Sequence, residues 1–362
     1  MIKDFRILNF RQFDELNINT ISRINLFVGK NSAGKSALLE ALLLFFSQMS
    51  DKYLPGIHIS RQETWDQRGG GEQSPLRHLF AQHKLPGIGE PGFQLSSSND
   101  PRSFEVRTAA YIRDDETVGP VYKLVEAASI EEADPDLYET FLVLAKPDQN
   151  RRLARTNSSI NDLRRRSLHA RRVEGRDSCF YIPTRGLEDS GTAFLWDSIS
   201  LTDSEAEVIK GLQLIEPRVE GVAFVASEER DGRIPLVKIL GNSEPFPLKS
   251  LGDGMSRIFQ IVLSLVNAKD SILLIDEFET GLHWGVQEEV WGLVFQLSEK
   301  LNVQVFATTH SRDCIKGFEN AWSRAPQAGS FARINKINNK VTLKEYDLEL
   351  LQDSLMTDVE VR

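Results

Sequence analysis

The chain has 362 residues, 41% of them hydrophobic and 26% charged, with a net charge of −9. That length allows about two to three domain-sized units, and the balance is that of an ordinary globular protein rather than a polycation built to coat nucleic acid. Two cysteines, Cys179 and Cys314, lie far apart without metal-ligand spacing, which argues against a disulfide framework and fits a reducing cytoplasm.

The first six residues carry an acid and no apolar run follows, so no secretory leader is expected. Residues 2–10 and 16–18 read as an antiparallel β unit with a turn within 11–15. Residues 23–28 form a buried strand. It runs into Gly29-Lys30-Asn31-Ser32-Ala33-Gly34-Lys35-Ser36, the spacing of a phosphate-binding loop set between a strand and a helix. Gly29 and Gly34 allow successive N–H groups to turn inward toward a triphosphate. Lys35 is suited to reach the β- and γ-phosphates, and the Ser36 hydroxyl to hold Mg²⁺. A helix over 36–48 adds its positive N-terminal end. Its core, residues 37–46, is almost continuously apolar but contains Glu40 and is too short to span a bilayer. It reads as a helix buried on several sides.

Residues 50–120 are rich in Gly, Pro, Ser and Gln, with short strands at 103–112 and 122–127 punctuating loops. Residues 131–177 read as helical and strongly charged. Within them Arg151, Arg152, Arg155, Arg164, Arg165, Arg166, Arg171, Arg172 and Arg176 face only two acids, Asp162 and Glu174, making residues 151–176 +7 and the remainder −16. The segment is either a solvated helical face or a docking surface for DNA or an acidic partner, without the aromatic interleaving that base stacking needs. Asp134-Pro135-Asp136 reads as surface rather than as a nuclease carboxylate pair.

Residues 179–183 read as a buried strand. Thr202-Asp203-Ser204-Glu205 is a capping box, followed by the apolar stripe Ala206, Ile209, Leu212 and Leu214. Residues 219–226 and 235–240 pair around Asp231-Gly232. After Gly252 come a helix (255–267), a strand (272–275), a helix (285–301) and a strand (303–308). A closing hairpin, 333–337 with 340–344, turns at Asn338-Asn339. This alternation predicts an α/β fold, a mostly parallel sheet flanked by helices. Its expected units are residues 1–50, an insertion over 51–178 that carries the arginines, and residues 179–362.

Two strand ends carry chemistry. Ile272-Leu273-Leu274-Ile275 delivers Asp276 and Glu277 to the carboxyl edge of the sheet, where ligands of open α/β folds sit. Asp276 would anchor Mg²⁺ through water, and Glu277 would polarise an attacking water. Val305-Phe306-Ala307-Thr308-Thr309 ends at His310, placed to donate to a γ-phosphate and sense its loss. No Ser-His-Asp group or His/Cys metal cluster is visible.

The order of these motifs resembles the ABC-class P-loop ATPases, most of all the SMC-, RecF- and OLD-like branch often labelled AAA-family. Asn31 as third loop residue, residues 5–13 as an "I-x-N-F-R" opening, and Asp276-Glu277-Phe278-Glu279-Thr280-Gly281-Leu282-His283 as Walker B plus D-loop carry the likeness. It covers residues 1–48 and about 180–315. The resemblance implies an ATPase that dimerises around two ATP molecules with Mg²⁺. It also implies a signature loop that reaches the partner's γ-phosphate, for which Leu251-Gly252-Asp253-Gly254-Met255-Ser256-Arg257 is the candidate, with Gly252 and Gly254 exposing N–H groups. Gly252 stands where the family has serine, unless Ser250 replaces it, and Asp253 adds negative charge. His283 has either a structural role or a contact across the dimer. Gln62, Gln67, Gln73 and Gln82 compete as the Q-loop glutamine. The family further implies genome maintenance or anti-phage defence beside a separately encoded nuclease. A fused nuclease is not expected from the 52 residues after His310. An ATP-switched binding subunit and a transporter-type ATP-binding subunit remain the alternatives.

Overall fold

Neighbouring residues of one short strand enter two different cores: Ile24, Leu26 and Val28 join one, and Phe27 the other. A strand buried on both faces is the mark of a parallel sheet with a layer on each side. The structure is a computed structural model that describes residues 1–63, 74–114, 121–125, 138–146, 149–173, 179–227, 232–338 and 340–357.

The elements run in chain order from the hairpin β1 (Phe5–Phe10) and β2 (Phe13–Ile18) to β3 (Ile24–Val28), α1 (Lys35–Phe46) and α2 (Leu54–Ser60). Then come β4 (Phe93–Ser97), β5 (Asp100–Asp114), β6 (Val121–Leu124), β7 (Glu139–Lys146), β8 (Gln149–Arg155) and α3 (Ile160–Val173). The chain continues through β9 (Cys179–Ile182), α4 (Asp189–Asp197), α5 (Asp203–Gln213), β10 (Val219–Ala226), β11 (Arg233–Ile239) and β12 (Phe246–Pro247). It closes with α6 (Asp253–Asn267), β13 (Ile272–Ile275), α7 (Trp284–Lys300), β14 (Gln304–Thr309), α8 (Arg312–Arg324), β15 (Gly329–Ile337), β16 (Lys340–Tyr346) and α9 (Leu348–Met356).

The central sheet has the order β16-β15-β3-β14-β13-β9, parallel except for β16. A second, antiparallel sheet runs β2-β1-β4-β5-β7-β8, with β6 on β5, and a small third one runs β10-β11-β12. Helix α1 lies between the two large sheets; every residue but Ser36 is buried. That position explains its lack of a polar face. On the opposite side of the central sheet, α6, α7 and α8 close the other core. No helix among the described residues is long and apolar enough to cross a membrane.

The α/β class with flanking helices stands as expected, while several local expectations are corrected. Glu139–Lys146 and Gln149–Arg155 are strands, not helix; among the described residues of that stretch only Ile160–Val173 is helical. Phe141, Leu142, Val143 and Leu144 are all buried in β7, and such an apolar run with period-two partners fits a sheet better than a charged helix. The segment 100–114 is one fifteen-residue strand rather than a short one. Thr202 does cap α5 by accepting from Ser204 N, but Glu205 accepts from Leu201 N, so the box is staggered by one residue. Ala206 is exposed, and Val208 takes its place in the core. Asp134, Pro135, Asp136, Gln67, Gln73, Asp231 and Asn339 lie outside the described residues.

Candidate active site

Strand β3 hands the chain to the phosphate-binding loop, and two glycines there have no substitute. A Cβ on Gly29 would lie 2.4 Å from the Ile334 carbonyl oxygen of the neighbouring strand β15. Gly34 sits at φ 119°, and a Cβ there would meet Gln12 and the Phe13 ring. Lys35 opens α1, and its Nζ donates to the carbonyl oxygens of Gly29 at 2.7 Å and Lys30 at 3.3 Å. Its side chain thus folds back across the loop. Burial lowers the Lys35 pKa, against the opposing pull of Glu277, Asp276 and Glu279. The ammonium therefore shares one electrostatic environment with the carboxylates at the end of β13, some 240 residues away in sequence.

An open cleft of about 250 Å³ lies over this loop. Asn31, Ser32, Gly34, Lys35 and Ser36 line one side; Gln12, Arg61 and Glu277 line the rest. Lys30 is exposed and Ala33 is buried beneath the turn, its N–H bonded to Lys30 O. Asp276, 4% exposed, sits deeper. Its carboxylate accepts from Thr308 Oγ1 at 2.6 Å and Thr184 Oγ1 at 3.2 Å. Both donors are neutral hydroxyls, and among the described residues no cation pairs directly with the Asp276 carboxylate. Together with the Ser36 hydroxyl this is an oxygen donor set that fits Mg²⁺, which takes one or two protein ligands plus phosphates.

The same Thr308 hydroxyl accepts from Glu277 N at 2.9 Å, which ties the ends of β13 and β14 together. Glu277 itself has φ 48°. A left-handed backbone at a non-glycine residue costs about 1–2 kcal/mol, and such strain gathers at functional sites. His310 follows β14 and lies 3.8 Å from Glu277 Oε1 through Nδ1. Lys35, Asp276, Glu277 and His310 are thus brought together. Gly252 and Gly254 are not among the residues lining this cleft: Gly252 is the N-cap of α6, Gly254 lies in its first turn, and a Cβ on Gly254 would lie 3.0 Å from Gly281 O. Ser250 donates to Pro247 O. His283 caps α7 by accepting from Gly285 N at 3.2 Å, which gives it a structural use.

Several residues at the site were given no role from sequence, Arg257 among them although it closes the candidate signature loop. Arg257 of α6, buried, donates from Nη2 to the carbonyl oxygens of Asp276 and Glu277, both at 2.7 Å, and approaches those of Pro183 and Phe278. Burial brings its pKa down to about 10, against the attraction of Glu279, Asp276 and Glu277. Arg61 at the cleft is held by Glu40 at 2.7 Å, and Glu40 also pairs with Arg11 at 2.6 Å. Gln12 sits in the two-residue turn between β1 and β2, and only its place beside an "N-F-R" opening could have flagged it. Nothing in the sequence around Arg61 marks it.

The family model described as "AAA domain, putative AbiEii toxin, Type IV TA system" matches residues 24–313. An ATP/GTP phosphatase of Helicobacter pylori is 22% identical over 342 residues, 87% of each chain. A protein of Methanocaldococcus jannaschii is 49% identical over 47 residues, 13% of this chain and 22% of its own. Among solved structures, an Smc head bound to the C-terminal winged-helix domain of ScpA has TM-score 0.50 at 12% identity, over 97% of this chain and 99% of the other. A Pyrococcus furiosus Smc head with an extended coiled coil, bound to the C-terminal domain of ScpA, has TM-score 0.51 at 11% identity, over 99% of both chains. With four-fifths of its length matched by one family model, and the strand-loop-helix and strand-end carboxylates in place, the chain belongs to this AAA-domain family, is a P-loop ATPase, and shares the fold of the Smc heads.

Proposed function

We propose that the chain binds ATP in the cleft over Gly29–Ser36, hydrolyses it with Mg²⁺, and uses the cycle to open and close a pair of copies that act on a partner. The observation that carries this reading is the meeting of Lys35, Ser36 and Glu277 in one cleft, with Asp276 beneath and His310 beside Glu277. Lys30, Asn31, Ser32, Ala33 and Gly34 supply backbone to the phosphates, and Lys35 supplies charge to the β- and γ-groups. Mg²⁺, held by Ser36 and Asp276, would neutralise charge developing on the phosphate oxygens. Glu277 orients the water, and His310 donates to the terminal phosphate. Gly252 and Gly254, outside the cleft of their own chain, act on the nucleotide of the second copy.

Residues 1–50 and 179–362 serve as the nucleotide-handling units, and the insertion 51–178 as the surface for a partner. Most of the described arginines there already have work in the fold. Arg166 pairs with Asp51 and Arg155 with Glu139. Arg152 stacks over Tyr122 and Tyr111. Arg151 bonds Gln48 O. Arg164 and Arg165 are left on the outer face of α3 as the residues for DNA or an acidic partner. The family's toxin–antitoxin description favours a defence role, which we read as cytoplasmic and beside a separately encoded effector.

Turnover of ATP by the purified chain, with Lys35→Ala and Glu277→Gln as controls, tests the core of the reading. Glu277→Gln is expected to hold ATP in a stable pair. A monomer unchanged by ATP and Mg²⁺ would overturn the pairing, and nucleotide binding with negligible wild-type turnover would favour an ATP-switched scaffold. DNA binding that weakens steeply with salt and is lost in Arg164→Glu/Arg165→Glu would support the α3 surface.

A further inference from the structure

The D-loop stretch contains a carboxylate that the reading above does not use. Glu279 is 9% exposed, and its Oε2 has no hydrogen-bond partner among the described residues. A buried carboxylate is expensive to keep unless its position serves something. Its other oxygen, Oε1, accepts from the backbone N–H of His310 at 3.0 Å and lies 3.1 Å from the ring Nδ1 of the same residue. One oxygen therefore restrains both the main chain and the imidazole. The His310 side chain is 49% exposed, so packing alone does not fix the ring. A carboxylate offers only lone pairs, which favours hydrogen on Nδ1 and leaves Nε2, without a protein partner among the described residues, for a ligand.

We propose that Glu279 is a positioning residue for ATP hydrolysis: it clamps the backbone and ring of His310 and so presents Nε2 to the terminal phosphate. The proposal rests on the role given to His310 above. Glu279 touches no nucleotide itself. Its position is backed by Lys35 and Arg257, both of which feel its charge. Its charge is thus felt from the phosphate-binding loop and from α6, while its Oε1 holds the residue that follows β14.

The test is a double-mutant cycle on the full chain, with kcat and KM for ATP–Mg²⁺ measured for wild type, Glu279→Ala, Glu279→Gln, His310→Ala and both double variants. Misplacement of a reacting group by about 1 Å costs roughly 100-fold. Glu279→Ala is therefore expected to lower kcat by about 10- to 100-fold with KM changed by less than about threefold. Glu279→Gln keeps an oxygen for the His310 N–H and is expected to recover most of that loss. It also serves as the cycle partner should the alanine variant not fold. In the double variants the rate should equal that of His310→Ala alone, because the clamp then has nothing to hold. A double variant slowed by the product of both single effects would assign Glu279 a separate, structural role and overturn the proposal. Wild-type kcat in Glu279→Ala beside an impaired His310→Ala would overturn the proposal alone, whereas wild-type kcat in His310→Ala would overturn the His310 role and the proposal with it.

Discussion

Arg257 Nη2 donates at 2.7 Å to the carbonyl oxygen of Glu277, the residue whose φ is 48°. The same guanidinium meets the carbonyl oxygens on either side, Asp276 O at 2.7 Å and Phe278 O at 3.5 Å. Three successive carbonyls converge on one buried cation. That convergence requires the chain to turn sharply at Glu277, and the planar fork of arginine can serve all three at once. The left-handed conformation is thus held from the first turns of α6, which begins at the candidate signature loop.

Removing the fork takes the arginine donor from Asp276 O and Phe278 O, while Glu277 O keeps only Thr280 N at 3.0 Å. Arg257→Ala is expected to destabilise the fold by about 3 kcal/mol or more, and Arg257→Lys by about 1–2 kcal/mol, since a point charge cannot reach every acceptor. Urea denaturation midpoints check both. An alanine variant as stable as wild type would mean that the turn at Glu277 holds itself.

Stability and activity should separate at Glu277. Glycine adopts φ 48° without the Cβ penalty. Glu277→Gly is therefore expected to raise stability by about 0.5–1 kcal/mol while reducing turnover by roughly 100-fold or more. Glu277→Gln, which keeps the strained backbone, should lose turnover without the gain in stability. Thermal melts paired with phosphate-release assays read both.

Glycine replacements should differ in sign by position. Gly29→Ala pushes a methyl against the Ile334 backbone, which belongs to a paired strand and cannot simply rotate away; a loss of about 1–3 kcal/mol is expected, with weakened nucleotide binding. Gly292, inside α7 with open space around its Cβ position, should behave oppositely: Gly292→Ala is expected to stabilise by up to about 1 kcal/mol through helix propensity. Calorimetric midpoints of the two variants give the comparison.

Acid sensitivity should depend on Glu63. Burial alone would raise its pKa, but hydrogen bonds from His58 and Arg11 outweigh that and bring it down from 4.5 to about 2. A carboxyl with a depressed folded pKa adds stability that is complete above about pH 4.5 and lost as pH falls toward 2. The full difference corresponds to roughly 3 kcal/mol. Glu63→Gln should therefore flatten the acid limb of a stability–pH curve between pH 4.5 and 2. Glu40, whose pKa burial raises despite Arg11 and Arg61, acts in the opposite sense and remains in the variant.

The parts legible in the sequence are those where a local pattern has a single physical reading. Ile272-Leu273-Leu274-Ile275 before two acids gave β13 to the residue. The apolar run after Lys35 gave α1 and its burial on several sides. What escaped notice depends on contacts distant in sequence. The arginines of β8 look helical by charge density, and only pairing with β7 shows that Arg152 lies over Tyr122. Leu8, Gln94 and Glu105 occupy one row of a sheet that no single segment announces. Arg257 and Glu279 lie inside the candidate signature loop and the Walker B and D-loop stretch, but neither motif gives them a role, and Arg61 has no motif of its own; their importance appears only once the Glu277 turn, His310 and Glu40 stand beside them.

The third strand of the chain sits between β14 and β15, pairing Ile24–Val28 with Val305–Thr309 on one side and Gly329–Arg333 on the other. A ribosome releases residues 24–36 early, yet their two lateral neighbours emerge only after some 300 further peptide bonds have been made. Until then the loop has no rigid floor, and nascent polypeptide exposes the apolar flanks of Leu26 and Phe27 to whatever chaperone or aggregate is nearby. Nucleotide capture thereby waits for β14 and β15 to emerge, and a product stalled before residue 304 lacks the strands that floor the loop.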